Sequence, residues 1–251
     1  MNKSTYQNTL TWRGTSVAAR TRVNHEATHR LADTTDLGDY IANAVGTNMS
    51  LDVTAEATYK NQPGRKWTLT IGSYAGADLY NVSVNCNNRE VDVTDNADYV
   101  SQRVPFAGTW SIAAMARYNA TVHFLSQCRT AASSNTSVAY SLTDAQGSTV
   151  LQGVGRISRA GFGGGVAQAV DQPVELQAIT VATVGVNALF PKWTRLGVSG
   201  LVSQACKITN AAGTTVLSGT GFPMAATLAA PQDGPVTMTM RAAINAFTTL
   251  S

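Results

Sequence analysis

Charge is what this sequence has least of. Asp, Glu, Lys and Arg make up only 13% of its 251 residues, against the roughly 25% usual in a soluble globular chain. So few charges leave much of the surface to neutral groups, and Ser, Thr, Ala and Gly supply them. A neutral surface of small residues suits a protein whose faces are covered by neighbours. The 18 Lys and Arg are scattered, so the net charge of +3 gathers into no basic arm and leaves no footprint for nucleic-acid recognition. Cysteine is scarce too. Cys86, Cys128 and Cys206 are odd in number and lack CxxC spacing, which argues against a disulfide framework or a zinc site and predicts free, mostly buried thiols. Long apolar runs are missing: no stretch approaches the ~18 residues that a membrane-spanning helix requires. The first eight residues are polar, with no apolar signal-peptide segment, so the expectation is a chain that stays in the cytoplasm until it is assembled. Length alone allows one large β domain or two small ones.

What is present is repetition. Residues 9–43 lie on residues 68–102 without a gap, with eleven identities: Thr9/Thr68, Leu10/Leu69, Thr11/Thr70, Ala18/Ala77, Val23/Val82, Arg30/Arg89, Asp33/Asp92, Thr35/Thr94, Asp36/Asp95, Asp39/Asp98 and Tyr40/Tyr99. Gly46-Thr47 recurs as Gly108-Thr109. A different repeat fills the other half. Residues 142–155 match residues 208–221 at eight positions, and Pro173-Val174 recurs as Pro235-Val236 after a short length difference. The order is therefore A, B, C, D, with A like B and C like D.

These units read as β. Residues 137–143 alternate, residues 144–147 (Asp-Ala-Gln-Gly) supply a turn, and residues 148–151 resume the strand, which predicts a hairpin. Its copy turns at residues 210–213, with Asn as another favoured turn starter. Residues 173–181 and 235–240 alternate with period two and read as half-buried strands opening at proline, as do residues 48–59 and 109–118 without the proline. Residues 119–132 differ: Val122, Leu125 and Cys128 fall at helical spacing behind Asn119 as an N-cap. That predicts one short helix between B and C; residues 186–190 are a weaker candidate for a second.

Candidate chemistry is sparse. Arg30, Asp33, Asp36, Asp39 and Tyr40 recur as Arg89, Asp92, Asp95, Asp98 and Tyr99, in stretches read as loops over residues 30–46 and 89–107. The aspartates are either ordinary solvated loop residues or contact groups. Three carboxylates at spacing three suggest Ca²⁺, but no Gly-centred loop with a terminal Glu follows. His25 and His29 sit in a strand or loop and are replaced by Val84 and Asn88 in the repeat, which reads as incidental. The glycines of residues 161–165 lack the Lys and helix of a phosphate cradle. No Ser, His and Asp set recurs in both copies, so the expectation is no enzyme, no metal and no cofactor.

In element order the chain resembles the tube proteins of long-tailed bacteriophages and the related ring proteins of contractile injection systems. Residues 66–184 follow that order: a hairpin over 67–84, a long loop with the string Val91-Asp-Val-Thr94, the 110–118 strand, a helix, the 137–157 hairpin and a last strand over 173–184. The resemblance implies a mainly β fold with one or two short helices and two tail-tube-like sandwich or barrel domains, tandem or nested, related by duplication. The nested arrangement, residues 1–65 plus 188–251 with residues 66–187 inserted, keeps the family order; the sequential one is its rival. It further implies self-assembly: three chains forming a pseudo-hexameric ring, or six chains, with rings stacked into a tail tube alongside other tail proteins. Phage DNA would pass through non-specifically, and no membrane is involved. The repeated loops would reach the adjacent ring or face the bore. Assembly would occur in the host cytoplasm, with the product in the virion tail. A capsid or decoration protein, or a β-sandwich adhesin or carbohydrate-binding module, are the competing readings.

Overall fold

Alternation of small polar with apolar residues produces strands, and the computed structural model is almost entirely strand. It describes residues 8–17, 22–33, 44–63, 66–95, 97–117, 124–161, 171–182, 189–195 and 200–251. The strands are β1 (Thr9–Trp12), β2 (Thr15–Val17), β3 (Arg22–Asp33), β4 (Ala44–Pro63), β5 (Trp67–Ile71), β6 (Tyr74–Asp92), β7 (Arg103–Arg117), β8 (Ser137–Thr143), β9 (Thr149–Ala160), β10 (Asp171–Ala182), β11 (Gln204–Thr209), β12 (Thr215–Ala230) and β13 (Pro235–Leu250). Two helices, α1 (Phe124–Ser134) and α2 (Leu189–Lys192), accompany them.

The pairings form two circuits. One closes on itself: β5 pairs with β6 and β8, β8 with β9, β9 with β10, β10 with β7, and β7 with β6. The other runs β2–β1–β11–β12–β13–β4–β3. Their registers coincide when residue numbers are shifted. Thr9 faces Thr209 and Leu10 faces Ile208, as Thr68 faces Thr143 and Leu69 faces Leu142. The hairpin bulge falls between Ile208 and Thr209 in one circuit and between Leu142 and Thr143 in the other. Arg241 lies between Thr54 and Ala225, as Glu175 lies between Ala113 and Arg159. The registers thus equate Glu175 with Arg241 and not Pro173 with Pro235; two prolines near strand starts made the shorter offset attractive in the sequence.

Both hairpin turns are built alike. Asp144 Oδ1 accepts from the backbone N–H groups of Gln146 (2.9 Å) and Ser148 (3.0 Å), and Asn210 Oδ1 accepts from Ala212 (3.0 Å) and Thr214 (2.9 Å). Gly147 and Gly213 close these turns at φ 80° and 78°, where a Cβ is strained. Farther along, Gly153 and Gly219 serve packing. A Cβ on Gly153 would lie 2.0 Å from the Thr180 carbonyl oxygen, and one on Gly219 2.3 Å from that of Ala246.

Leu10, Trp12, Leu51, Leu69, Leu79, Ile112, Leu142 and Leu176 are fully buried in the core, with Phe190 and Trp193 of the α2 region among them. Helix α1 is described over Phe124–Ser134, overlapping the stretch the sequence predicts. Its buried face is Phe124, Cys128 and Ala131, because the Phe124 ring seats on the space left by Gly76, where a Cβ would come within 2.7 Å. Val122 and Asn119 lie outside the described residues. The loops are also shorter than expected: β6 extends through Asp92 and β7 begins at Arg103, while β3 reaches Asp33 and β4 begins at Ala44. Cys86, Cys128 and Cys206 are free and buried.

Candidate assembly surfaces

The two circuits join through one antiparallel contact, in which Val82–Asn87 of β6 faces Ala225–Ala230 of β12, Cys86 opposite Ala226. Thr227 donates its hydroxyl to Asn85 Oδ1 (3.1 Å), and Asn88 Nδ2 donates to the Pro223 carbonyl (2.8 Å). This contact makes a continuous antiparallel run of eight strands, β3–β4–β13–β12–β6–β7–β10–β9. One face of the run is core: Val53, Met240, Ala226, Cys86, Ile112 and Leu176 are buried. On the other face a row of side chains crosses all eight strands at matched register, Arg22, Glu56, Thr239, Thr227, Asn85, Ser111, Gln177 and Arg156, all at least partly exposed. Hydroxyl and amide groups dominate it. An open trough of about 300 Å³ on this face lies between Arg22, Asn24, Glu56, Thr227 and Arg241.

Near one end the junction carries a box of four charges. Arg103 Nη1 donates to Asp52 Oδ2 and Glu90 Oε1, both at 3.0 Å, and its Nη2 to the Leu51 carbonyl at 2.9 Å. Arg241 Nη2 meets Glu90 Oε2 at 2.8 Å, and its Nη1 meets Asp52 Oδ1 at 3.3 Å. Each arginine thus touches both carboxylates, and the four charges cancel. The Arg103 side chain is only 10% exposed; a cation that deep is tolerable only when paired and hydrogen-bonded. Burial alone would raise the Glu90 carboxyl, but the hydrogen bonds and charges of Arg241 and Arg103 outweigh it and hold it below its ordinary value. Burial would lower Arg241, and Glu90 and Asp52 reverse that and raise it. Beside the box, the Asn245 side chain accepts from the Arg103 N–H (3.3 Å) and donates to the Arg103 carbonyl (2.9 Å), and Gln102 donates to the Asn245 carbonyl (2.9 Å).

The loop between β6 and β7 folds back over β4. Ser101 N–H bonds the Met49 carbonyl (2.8 Å) and Met49 N–H the Tyr99 carbonyl (3.0 Å). Its aspartates hold the loop's own backbone: Asp92 accepts from Thr94, Asp95 from Ala97 N–H (2.8 Å), and Asp98 from Asp95 N–H (3.0 Å). Arg89 is exposed on β6, and Tyr99 and Phe106 are 67% and 73% exposed. Of the matching set, Arg30 and Asp33 lie at the end of β3, and Asp36, Asp39 and Tyr40 fall outside the described residues. His25 and His29 lie on β3, and residues 162–165 also fall outside. Among the described residues no group of three His, Cys, Asp or Glu side chains is placed to hold a metal ion, and no helix is long and apolar enough to cross a membrane. The charge box was not visible in the sequence, because its partners lie up to 189 positions apart.

Comparison with known proteins adds a structural likeness. No protein-family model matches the sequence, and no curated protein matches it. Among solved structures the chain is similar to one from the virion of a native gene transfer agent particle, at 14% identity and a TM-score of 0.43, over 49% of this chain and 99% of that one. It is likewise similar to a chain from the tail of an empty gene transfer agent particle computed with C6 symmetry, at 14% identity and a TM-score of 0.42, over 49% of this chain and 96% of that one.

Proposed function

We propose that this chain is a virion structural protein that polymerises into the tail tube of a phage-like particle. In this reading residues 1–65 plus 188–251 form one tail-tube-like unit, residues 66–187 form an inserted second, and the two arose by duplication. The coincident registers of the two strand circuits support the duplication, and the pairing of β1 with β11 and of β13 with β4 supports the nested order. Three chains close a pseudo-hexameric ring, a cyclic arrangement that removes exposed strand edges. Rings stack with other tail proteins at the ends, and residues 89–107 reach the adjacent ring through Tyr99 and Phe106, large exposed side chains of the kind that anchor contacts.

The observation that carries this reading is the eight-strand run with one face in the core and the other polar, at least partly exposed among the described residues, its arginines set beside carboxylates such as Glu56, Glu175 and the charge box. As the wall of a bore that face lets DNA slide, because phosphates bind through fixed cations and gain little from hydroxyls, amides and arginines already set against carboxylates. Electron microscopy of the purified protein tests the proposal. Stacked rings or tubes with an open bore are expected; closed shells would instead make it a capsid protein, and a stable monomer that binds glycans an adhesin. The bore has its own test: Thr227→Lys with Thr239→Lys should give assemblies that retain DNA at low salt and release it at high salt, while the parent assemblies retain none.

A further inference from the structure

The junction inside one chain contains the geometry of a junction between chains. β6 is held on one side by β7 and on the other, over Val82–Asn87, by β12. β3, its counterpart by register, is paired with β4 over the same stretch and with no other strand among the described residues. β12 leaves β11 at Gly221 and continues to meet β6 from Ala225 onward. Its counterpart β9 leaves β8 at Arg156 and runs on to Ala160 with β10 as its one strand partner among the described residues, while helix α1 packs against it. Among the described residues each chain therefore carries one copy of the joined contact and, at its two ends, both halves of a second copy without a strand partner.

We propose that β3 of one copy of this chain pairs antiparallel with β9 of the next, in the register of the β6–β12 contact. Shifting Cys86 opposite Ala226 by the offsets of the two circuits places Ala27 opposite Ala160; Asn87 opposite Ala225 becomes Thr28 opposite Arg159. The burial pattern agrees. Cys86 and Ala226 are both buried, whereas their counterparts Ala27 and Ala160 are exposed and half-buried, with no strand paired to them on that side among the described residues. Charge agrees as well. Glu26 falls on the same face as Arg159, diagonal to it across the junction, within reach of a long side chain. The second junction does not repeat the charge box: Asp52, Glu90, Arg103 and Arg241 correspond to Ser111, Leu31, Ala44 and Glu175. The two junctions are thus distinguishable. The one with the charge box joins halves of a chain, the one with Glu26 and Arg159 joins chains, and the pairing is head-to-tail, the kind of contact that builds a ring when its rotation closes.

This inference rests on the ring reading and is tested separately from it by disulfide trapping. Directly opposed residues of antiparallel strands have Cα atoms ~4.5–5.5 Å apart, inside the range a disulfide spans. Under mild oxidation Ala27→Cys with Ala160→Cys should give a covalent ladder ending at the ring size, and each single variant none. Mixing the two single variants should give dimers only. Thr28→Cys with Arg159→Cys repeats the test on the exposed face, should the first pair disturb folding. Rings intact by mass measurement with neither pair trapped would overturn the inference and leave the ring standing, as would trapping by Ala27→Cys alone, which requires two β3 edges to meet. A chain that stays monomeric would overturn both.

Discussion

Arg103 shows how a nearly uncharged protein uses the few charges it keeps. Its guanidinium is almost buried against Asp52 and Glu90, with Arg241 on their far side. Arg103→Met leaves two carboxylates to share Arg241 alone, and breaking such a buried pair costs on the order of 3 kcal/mol, read as a lower urea midpoint at unchanged slope. The pH dependence has a definite sign. The Glu90 carboxyl is held below its ordinary value, so its contribution is complete above that ordinary value and is lost as pH falls through the lowered one. Acid unfolding of Glu90→Gln should therefore be shallower than that of the parent in that window. The thiols make a simpler case. Burial pushes Cys86, Cys128 and Cys206 up to about 12, so a thiol reagent at pH 8 should modify none of them until denaturant is added. Modification of the native protein would show that a strand carrying Cys86 or Cys206, or helix α1 carrying Cys128, opens.

The hairpins are where sequence and structure agree most closely, because their determinants are local. Asp144 or Asn210 starts the turn, glycine supplies the positive φ three residues on, and the alternation on either side names the buried face. Gly219→Ala should be far worse than Gly213→Ala. The turn change costs about 1 kcal/mol of backbone strain, whereas the other forces a methyl into the Ala246 carbonyl and should prevent soluble expression. Elements whose limits depend on distant residues were less legible. Helix α1 buries Phe124 against Gly76 some fifty positions earlier, and no periodicity within residues 119–132 contains that contact. Likewise the aspartates of the 93–102 loop stood out by repetition, yet their hydrogen bonds run to the loop's own backbone. The charge box, drawn from β4, β6, β7 and β13, had no local signature at all.

At the scale of the whole molecule, the sheet is continuous within the chain, and its two end strands have no second strand partner near Ala27 and Ala160 among the described residues. In the proposed assembly further copies complete it into a ring, and rings stack into a tube through exposed Tyr99 and Phe106. Tyr99→Ala with Phe106→Ala should leave rings intact and shorten or abolish tubes, seen as a shift from filaments to single rings on micrographs. The most direct measurement of the central claim is the native mass of the assembled protein together with the rotational symmetry of its end-on views. The account predicts three chains per ring, six similar densities in projection and an open bore; a stable monomer, or an assembly whose subunits share no strand edge, would contradict it.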